Sequence, residues 1–231
     1  TGHATASTLL LAWGLMALLS GIVGGRLFGG GPRLRSALPW MAQQKDLVKY
    51  YLASFLSVLG ANQLAILLIA GIGSAVIVGS LRAAQVVLGP LNLVGYALGA
   101  FAMPEIARRG LRGRKALLVG VGLSTIMVVV QLTYGLVVLS VPDSWGELAF
   151  SDSWDGARSV LGASLVGLVA IGAGFGASTL LIALGFAKQT FWTNVVLGPA
   201  LIGFSLLGLH LGGAYGAALG LSLAQCVVTP I

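Results

Sequence analysis

A single cysteine, Cys226, excludes an intrachain disulfide, and it lies in an apolar run that suggests no metal or redox chemistry. Two histidines, His3 and His210, are too far apart in sequence to read as a ligand cluster. Charged residues make up only 8% of the 231 positions, against about a quarter in an ordinary soluble domain. Only six are acidic, so paired carboxylates for hydrolysis have few places to occur. What fills the chain instead is apolar: 57% hydrophobic residues, mean hydropathy +0.98 and 35 glycines. Glycine without Gly-X-Y periodicity excludes collagen and suits close helix–helix contact in lipid. This composition predicts an all-α integral membrane protein.

Seven apolar runs are long enough to be read as membrane spans, at about residues 6–23, 52–72, 81–109, 116–141, 159–186, 191–209 and 213–228. The net charge of +7 does not point to nucleic acid, because the basic residues sit in short turns between these runs. Arg26, Arg33, Arg35, Lys45, Lys49, Arg108, Arg109, Arg112, Arg114, Lys115 and Lys188 all fall on one side of the alternation, which is eleven of the thirteen. That side is predicted to be cytoplasmic, with the anionic lipid surface as its neighbour. Four of the six acids, Asp143, Glu147, Asp152 and Asp155, fall on the other side. They lie in PDSWGELAFSDSWDGAR, read as a solvated outer loop anchored by Trp145 and Trp154. Its spacing is not that of a calcium loop.

Residues 81–109, LRAAQVVLGPLNLVGYALGAFAMPEIARR, carry the polar groups that a lipid-facing rod does not tolerate. On one helix, Arg82, Gln85, Gly89, Asn92 and Tyr96 share a sector of about 80°. The opposite sector holds Val87, Leu91, Val94 and Leu98. An arginine within a span costs roughly 2.5–3.5 kcal/mol on the insertion scale and normally faces the protein or water; the alternative is that Arg82 snorkels to the nearby outer surface and that Gln85 and Asn92 only bond neighbouring helices. Pro90 removes a backbone donor and is expected to kink the helix. Glu105 stands at helical spacing from Arg108 and Arg109, which makes local ion pairs or an inner gate. VVLGP occurs at residues 86–90 and again at 195–199, in helices expected to run in opposite directions, and is read as chance.

Elsewhere the text speaks mainly of packing. Asn62 and Gln63 sit mid-span and suit interhelical hydrogen bonds. Gly120, Ser124, Gln131 and Tyr134 fall on one side of their run. Gly172 and Gly176 give a weak GxxxG spacing. Gly172-Ala-Gly174-Phe-Gly176 lies inside an apolar run, so it is not a nucleotide loop. Asn194 is placed near a helix start, as a cap or a cytoplasm-facing group. Gly212, Gly216, Gly220 and Ala224 form a small-residue ladder at every fourth position, a packing seam. No catalytic constellation is present, so no enzyme activity, cofactor or resident metal is expected, apart from a coupling ion whose identity the sequence does not give.

The pattern RAAQ…LGPLN…PEIARR resembles the first helical hairpin of the second half of polysaccharide flippases, members of the multidrug/oligosaccharidyl-lipid/polysaccharide exporter superfamily. The resemblance implies a twelve-helix transporter of two six-helix lobes. Here residues 1–36 would be the last helix of the first lobe with its basic loop, and 37–231 the second lobe. The chain, opening at Thr1 on an apolar run, is then expected to be a fragment whose N-terminal lobe is a partner from the same polypeptide. The implied activity is transfer of polyprenyl-diphosphate-linked oligosaccharide across the bacterial cytoplasmic membrane by alternating access, for surface polysaccharide. Arg82, Gln85, Asn92 and Tyr96 are the implied substrate contacts. The arginine that related lipid-linked precursor flippases carry on this helix aligns, through Pro90, with Gln85, and Arg82 lies one turn earlier. Two alternatives stand beside this: a cation-coupled multidrug or metabolite exporter, which usually needs a cavity acid, and a membrane-embedded polymerase or glycosyltransferase, which needs large outer loops.

Overall fold

A computed structural model describes residues 6–27, 39, 42–43, 45–150 and 153–228. Among them every regular element is a helix. In chain order these are α1 (Ala6–Leu27), α2 (Lys45–Ile72), α3 (Ala75–Val87), α4 (Gly89–Arg109), α5 (Gly113–Leu139), α6 (Asp143–Phe150), α7 (Ser153–Ala183) and α8 (Ala187–Val228). Among the described residues five are long and apolar enough to cross a membrane, and the bent pair α3–α4 passes the same test when its two helices are taken together. The protein is built as a multi-pass helical membrane protein. The 36/37 boundary, Arg33, Arg35, Trp40 and Asp152 lie outside the described residues. The compact units are Thr1–Val48 and Lys49–Ile231. In the first, α1 is apolar on every side, with Leu10, Trp13 and Met16 all exposed.

In the second unit α7 is the hub, packed against α5, α8, α3, α4 and α6. Small residues make this possible. A side chain at Gly176 would overlap the Gly120 backbone, and one at Gly172 would overlap the Gln131 amide. At Gly176 the α5–α7 seam is therefore backbone against backbone, and the Gly176 N–H donates to Ser124 Oγ at 3.0 Å. The GxxxG spacing that looked weak in the sequence is this seam. Away from the seam α5 exposes Ile126, Val137 and Leu136, as expected of a lipid-facing surface.

α8 is 42 residues long, roughly 60 Å if it ran as one rod and about twice a bilayer core. It does not run as one rod. Gly212 and Gly213 leave the helical region, Gly213 at φ 56°, where only glycine is unstrained. The chain doubles back there. Gly208 lies against Gly216, and Gly220 against the Phe204 carbonyl, each with no room for a Cβ. Leu197 and Leu201 close the hairpin on Ala224 and Val228. The small-residue ladder is this seam, and the two arms match the last two predicted spans.

The main core gathers Leu81, Val87 and Leu91 from the bent pair with Trp154, Leu161 and Ala217. Three expectations are corrected here. The stretch between α5 and α7 is not simply a loop, because α6 and the first turns of α7 occupy most of it. Trp154 is not an interfacial anchor: it is 2% exposed and its indole N–H donates to Asp143 Oδ1 at 3.1 Å. Arg158 closes the same corner, 2.9 Å from Asp143 and donating to the Val141 carbonyl. Trp145 alone of the two indoles faces outward, beside Leu148. Asn194 is neither a cap nor a free surface group, since it lies inside α8 and its amide donates to Ser54 Oγ on α2.

Candidate functional site

The site begins with the cap that starts α3. Ser74 Oγ accepts from the Ile77 N–H at 3.4 Å, and Ser80 fits against Gly156 of α7, where a Cβ has no space. This contact fixes which side of α3 meets α7. Leu81, Ala84 and Val87 are buried on that side, which leaves Arg82 and Gln85 exposed on the other.

The helix then breaks rather than curving. α3 ends at Val87, α4 begins at Gly89, and the two axes differ by 49°. Pro90 stands in the first turn of α4, where its missing N–H costs least. The freed Val87 carbonyl is taken by Tyr134 Oη of α5, which donates at 2.8 Å. The single helical face drawn from the sequence is therefore split over two helices. Arg82 and Gln85 belong to one, Asn92 and Tyr96 to the other.

Arg82 donates from Nη1 to Gln85 Oε1 and from Nη2 to Gln63 Oε1 on α2, each at 3.0 Å. Among the described residues no carboxylate pairs with it. Two amide dipoles orient the guanidinium and leave its charge uncancelled, which is the arrangement an incoming anion needs. Beside it lies a cavity of about 350 Å³ enclosed by α2, α3, α4, α7 and α8. Asn62, Gln85, Asn92, Ser164, Ser222 and Gln225 supply its polar groups. Arg82 stands outside its lining and reaches it through Gln85.

Tyr96 does not share that cavity. It lines a second one, also about 350 Å³, together with Asn92, Gln131, Ser178 and Thr179. A third, about 250 Å³, lies between α7 and the α8 hairpin and is lined by Ser178, Thr190, Thr193, Asn194 and Gln225. Ile171 borders all three, so they form one hollowed surface around the middle of α7. The sequence reading did not select Ser164, Ser178, Ser222 or Gln225. A signal existed: Ser164, Ile171 and Ser178 recur every seven residues, one stripe of α7. Asn62 lines the first cavity, and Gln63 orients Arg82.

Glu105, Arg108 and Arg109 lie at the far end of α4. Arg108 Nη2 is 2.8 Å from Glu105 Oε2, and Arg109 reaches the other oxygen of the same carboxylate. Both ion pairs stay within one helix and are solvent-exposed, a geometry that contributes little to stability. No metal-type cluster of His, Cys, Asp and Glu occurs among the described residues.

No protein-family model, curated protein or solved structure matches the chain.

Proposed function

We propose that this chain forms the C-terminal lobe of a twelve-helix, two-lobe transporter. It moves polyprenyl-diphosphate-linked oligosaccharide across the bacterial cytoplasmic membrane by alternating access, for cell-surface polysaccharide. Its basic turns face the cytoplasm, and the N-terminal lobe supplies the opposite wall. One observation carries this reading. Arg82, unpaired with any acid among the described residues, is held by Gln63 and Gln85 at the edge of a hollow lined with amides and hydroxyls. A diphosphate is the anion that matches a fork of free guanidinium donors, and the neutral amides beyond it match sugar hydroxyls. No acid lines these three cavities, which weighs against a cation-coupled drug or metabolite exporter.

The test is Arg82→Ala in the full-length protein. Export of lipid-linked sugar, followed as surface polysaccharide, should fall at least tenfold, while the amount of protein in the membrane fraction stays unchanged. Undiminished export in that variant sinks the reading.

A further inference from the structure

A fourth cavity, of about 460 Å³, runs between α5 and α7, and none of the polar side chains of the three hollows lines it. Leu117, Val121 and Val128 of α5 and Ala177 and Leu180 of α7 form its walls. Its two hydroxyls are already engaged within the protein. Ser124 Oγ accepts from the Gly176 N–H, and Thr125 Oγ1 donates to the Val121 carbonyl at 2.8 Å. Leu117, Val121 and Ala177 are exposed, so the groove is open along its length at the surface of this unit. An apolar furrow of this kind suits an alkyl chain, which asks for no hydrogen bond.

One end of the groove carries charge. Arg114, Leu117, Val121, Thr125 and Val128 recur at intervals of three or four residues, so Arg114 heads the stripe of α5 that lines the groove. Arg112 and Lys115 stand beside it in the chain, and all three are exposed. Glu105 is taken by Arg108 and Arg109, and no carboxylate pairs with Arg112, Arg114 or Lys115 among the described residues. From Leu117 to Val129 the lined part of α5 rises about 18 Å, close to the ~15 Å of hydrocarbon in one leaflet.

We infer that this groove binds an acyl chain of an anionic phospholipid, whose phosphate lies against Arg114 with Arg112 and Lys115 to either side. A free phosphate would leave the apolar furrow unfilled, and an uncharged hydrocarbon would leave three cations unmet. A zwitterionic headgroup brings its own cation into the cluster. An amphiphile with one anionic end and a long chain meets both parts of the site. The site depends on the membrane architecture and not on the transported substrate, and it shares no residue with the Arg82 cluster.

The experiment uses the full-length protein in detergent, with bound lipid counted by native mass spectrometry. Dioleoyl phosphatidylglycerol competes with dioleoyl phosphatidylcholine, and inorganic phosphate forms a separate arm. The anionic lipid should be retained at least about fivefold better than the zwitterionic one of equal chain length. Arg114→Gln, at an exposed position, should cut that retention about fivefold. Val121→Trp fills the groove but keeps every cation, and it should remove the preference. If that variant fails to fold, Arg114→Gln and a crosslink still decide: p-benzoylphenylalanine in place of the groove residue Val129 should couple to phospholipid in vesicles of the same two lipids. Equal retention of the two lipids, retention unchanged in Arg114→Gln, a preference that survives Val121→Trp, displacement of the lipid by phosphate, or a crosslink to another part of the protein in place of lipid would each overturn the lipid site. Arg82→Ala should leave lipid retention unchanged whatever it does to export, so the failure of either site is seen separately.

Discussion

Residues 86–90 and 195–199 spell the same five letters, Val-Val-Leu-Gly-Pro, yet the chain treats them differently. At the first copy the helix ends and a new one leaves at 49°. At the second, α8 remains helical straight through Pro199. A proline deprives the preceding turn of one hydrogen bond and crowds a carbonyl wherever it sits inside a helix. What differs is the neighbourhood. Gly89 has open space where a side chain would be, and the loosened Val87 carbonyl is taken by Tyr134. Gly198 is pressed against Ser57 and Ala61 of α2, and Ser57 Oγ donates to the Asn194 carbonyl at 3.4 Å. One copy can swing because nothing holds its glycine face, while the other is kept continuous by a neighbour that fills it. A five-residue word does not settle a bend; the helix packed beside it does.

Four substitutions put that contrast under strain. Gly198→Leu should have the largest effect, because the new side chain must displace α2. A loss of about 1–3 kcal/mol or more is expected in thermal unfolding of the full chain in detergent. Gly89→Leu, made alongside, should lose less than half as much, and equal losses would remove the distinction. Tyr134→Phe comes next. Losing the hydroxyl should cost about 1 kcal/mol and loosen the bend. Spin labels at the exposed positions Val76 and Phe101 should then report a broader distance distribution between α3 and α4. An unchanged distribution would mean that the bend is held without Tyr134. The smallest change belongs to Gly89→Ala, which should stay within about 1 kcal/mol of the parent, since Ala forms helix more readily and meets no atom beyond its chain neighbours, while Pro90 beside it disfavours helical backbone for a residue with a Cβ. A clear loss of stability would show that this glycine is not free after all.

The sequence made the apolar rods legible, because a run of twenty greasy residues has few other readings. It also marked the Gly212–Gly213 reversal and the Pro90 break, since both depend on residues with restricted or unusual backbone preferences. It did not disclose α6, because eight residues bounded by polar ones carry too little periodicity to read. Trp154 was misplaced for a different reason. An indole near a predicted membrane edge normally reads as an anchor. Here its N–H is matched by Asp143, on the preceding short helix, and the ring turns inward. The candidate site divides in the same way. The polar residues of 81–96 were visible as exceptions in an apolar text. Their split into separate hollows, the support of Arg82 by Gln63, and the meeting of Gln131 with Gly172 all depend on which helices lie side by side. Helical periodicity states which way a residue points, but not what stands opposite.

The backbone-to-backbone fit of α5 on α7 has a consequence for motion. Helices separated by flexible side chains can slide by small rotamer adjustments, whereas Gly176 set on the Gly120 main chain leaves no such cushion at that point. At that contact the two helices are held together without slack, and the place where this unit can bend is the jointed pair α3–α4.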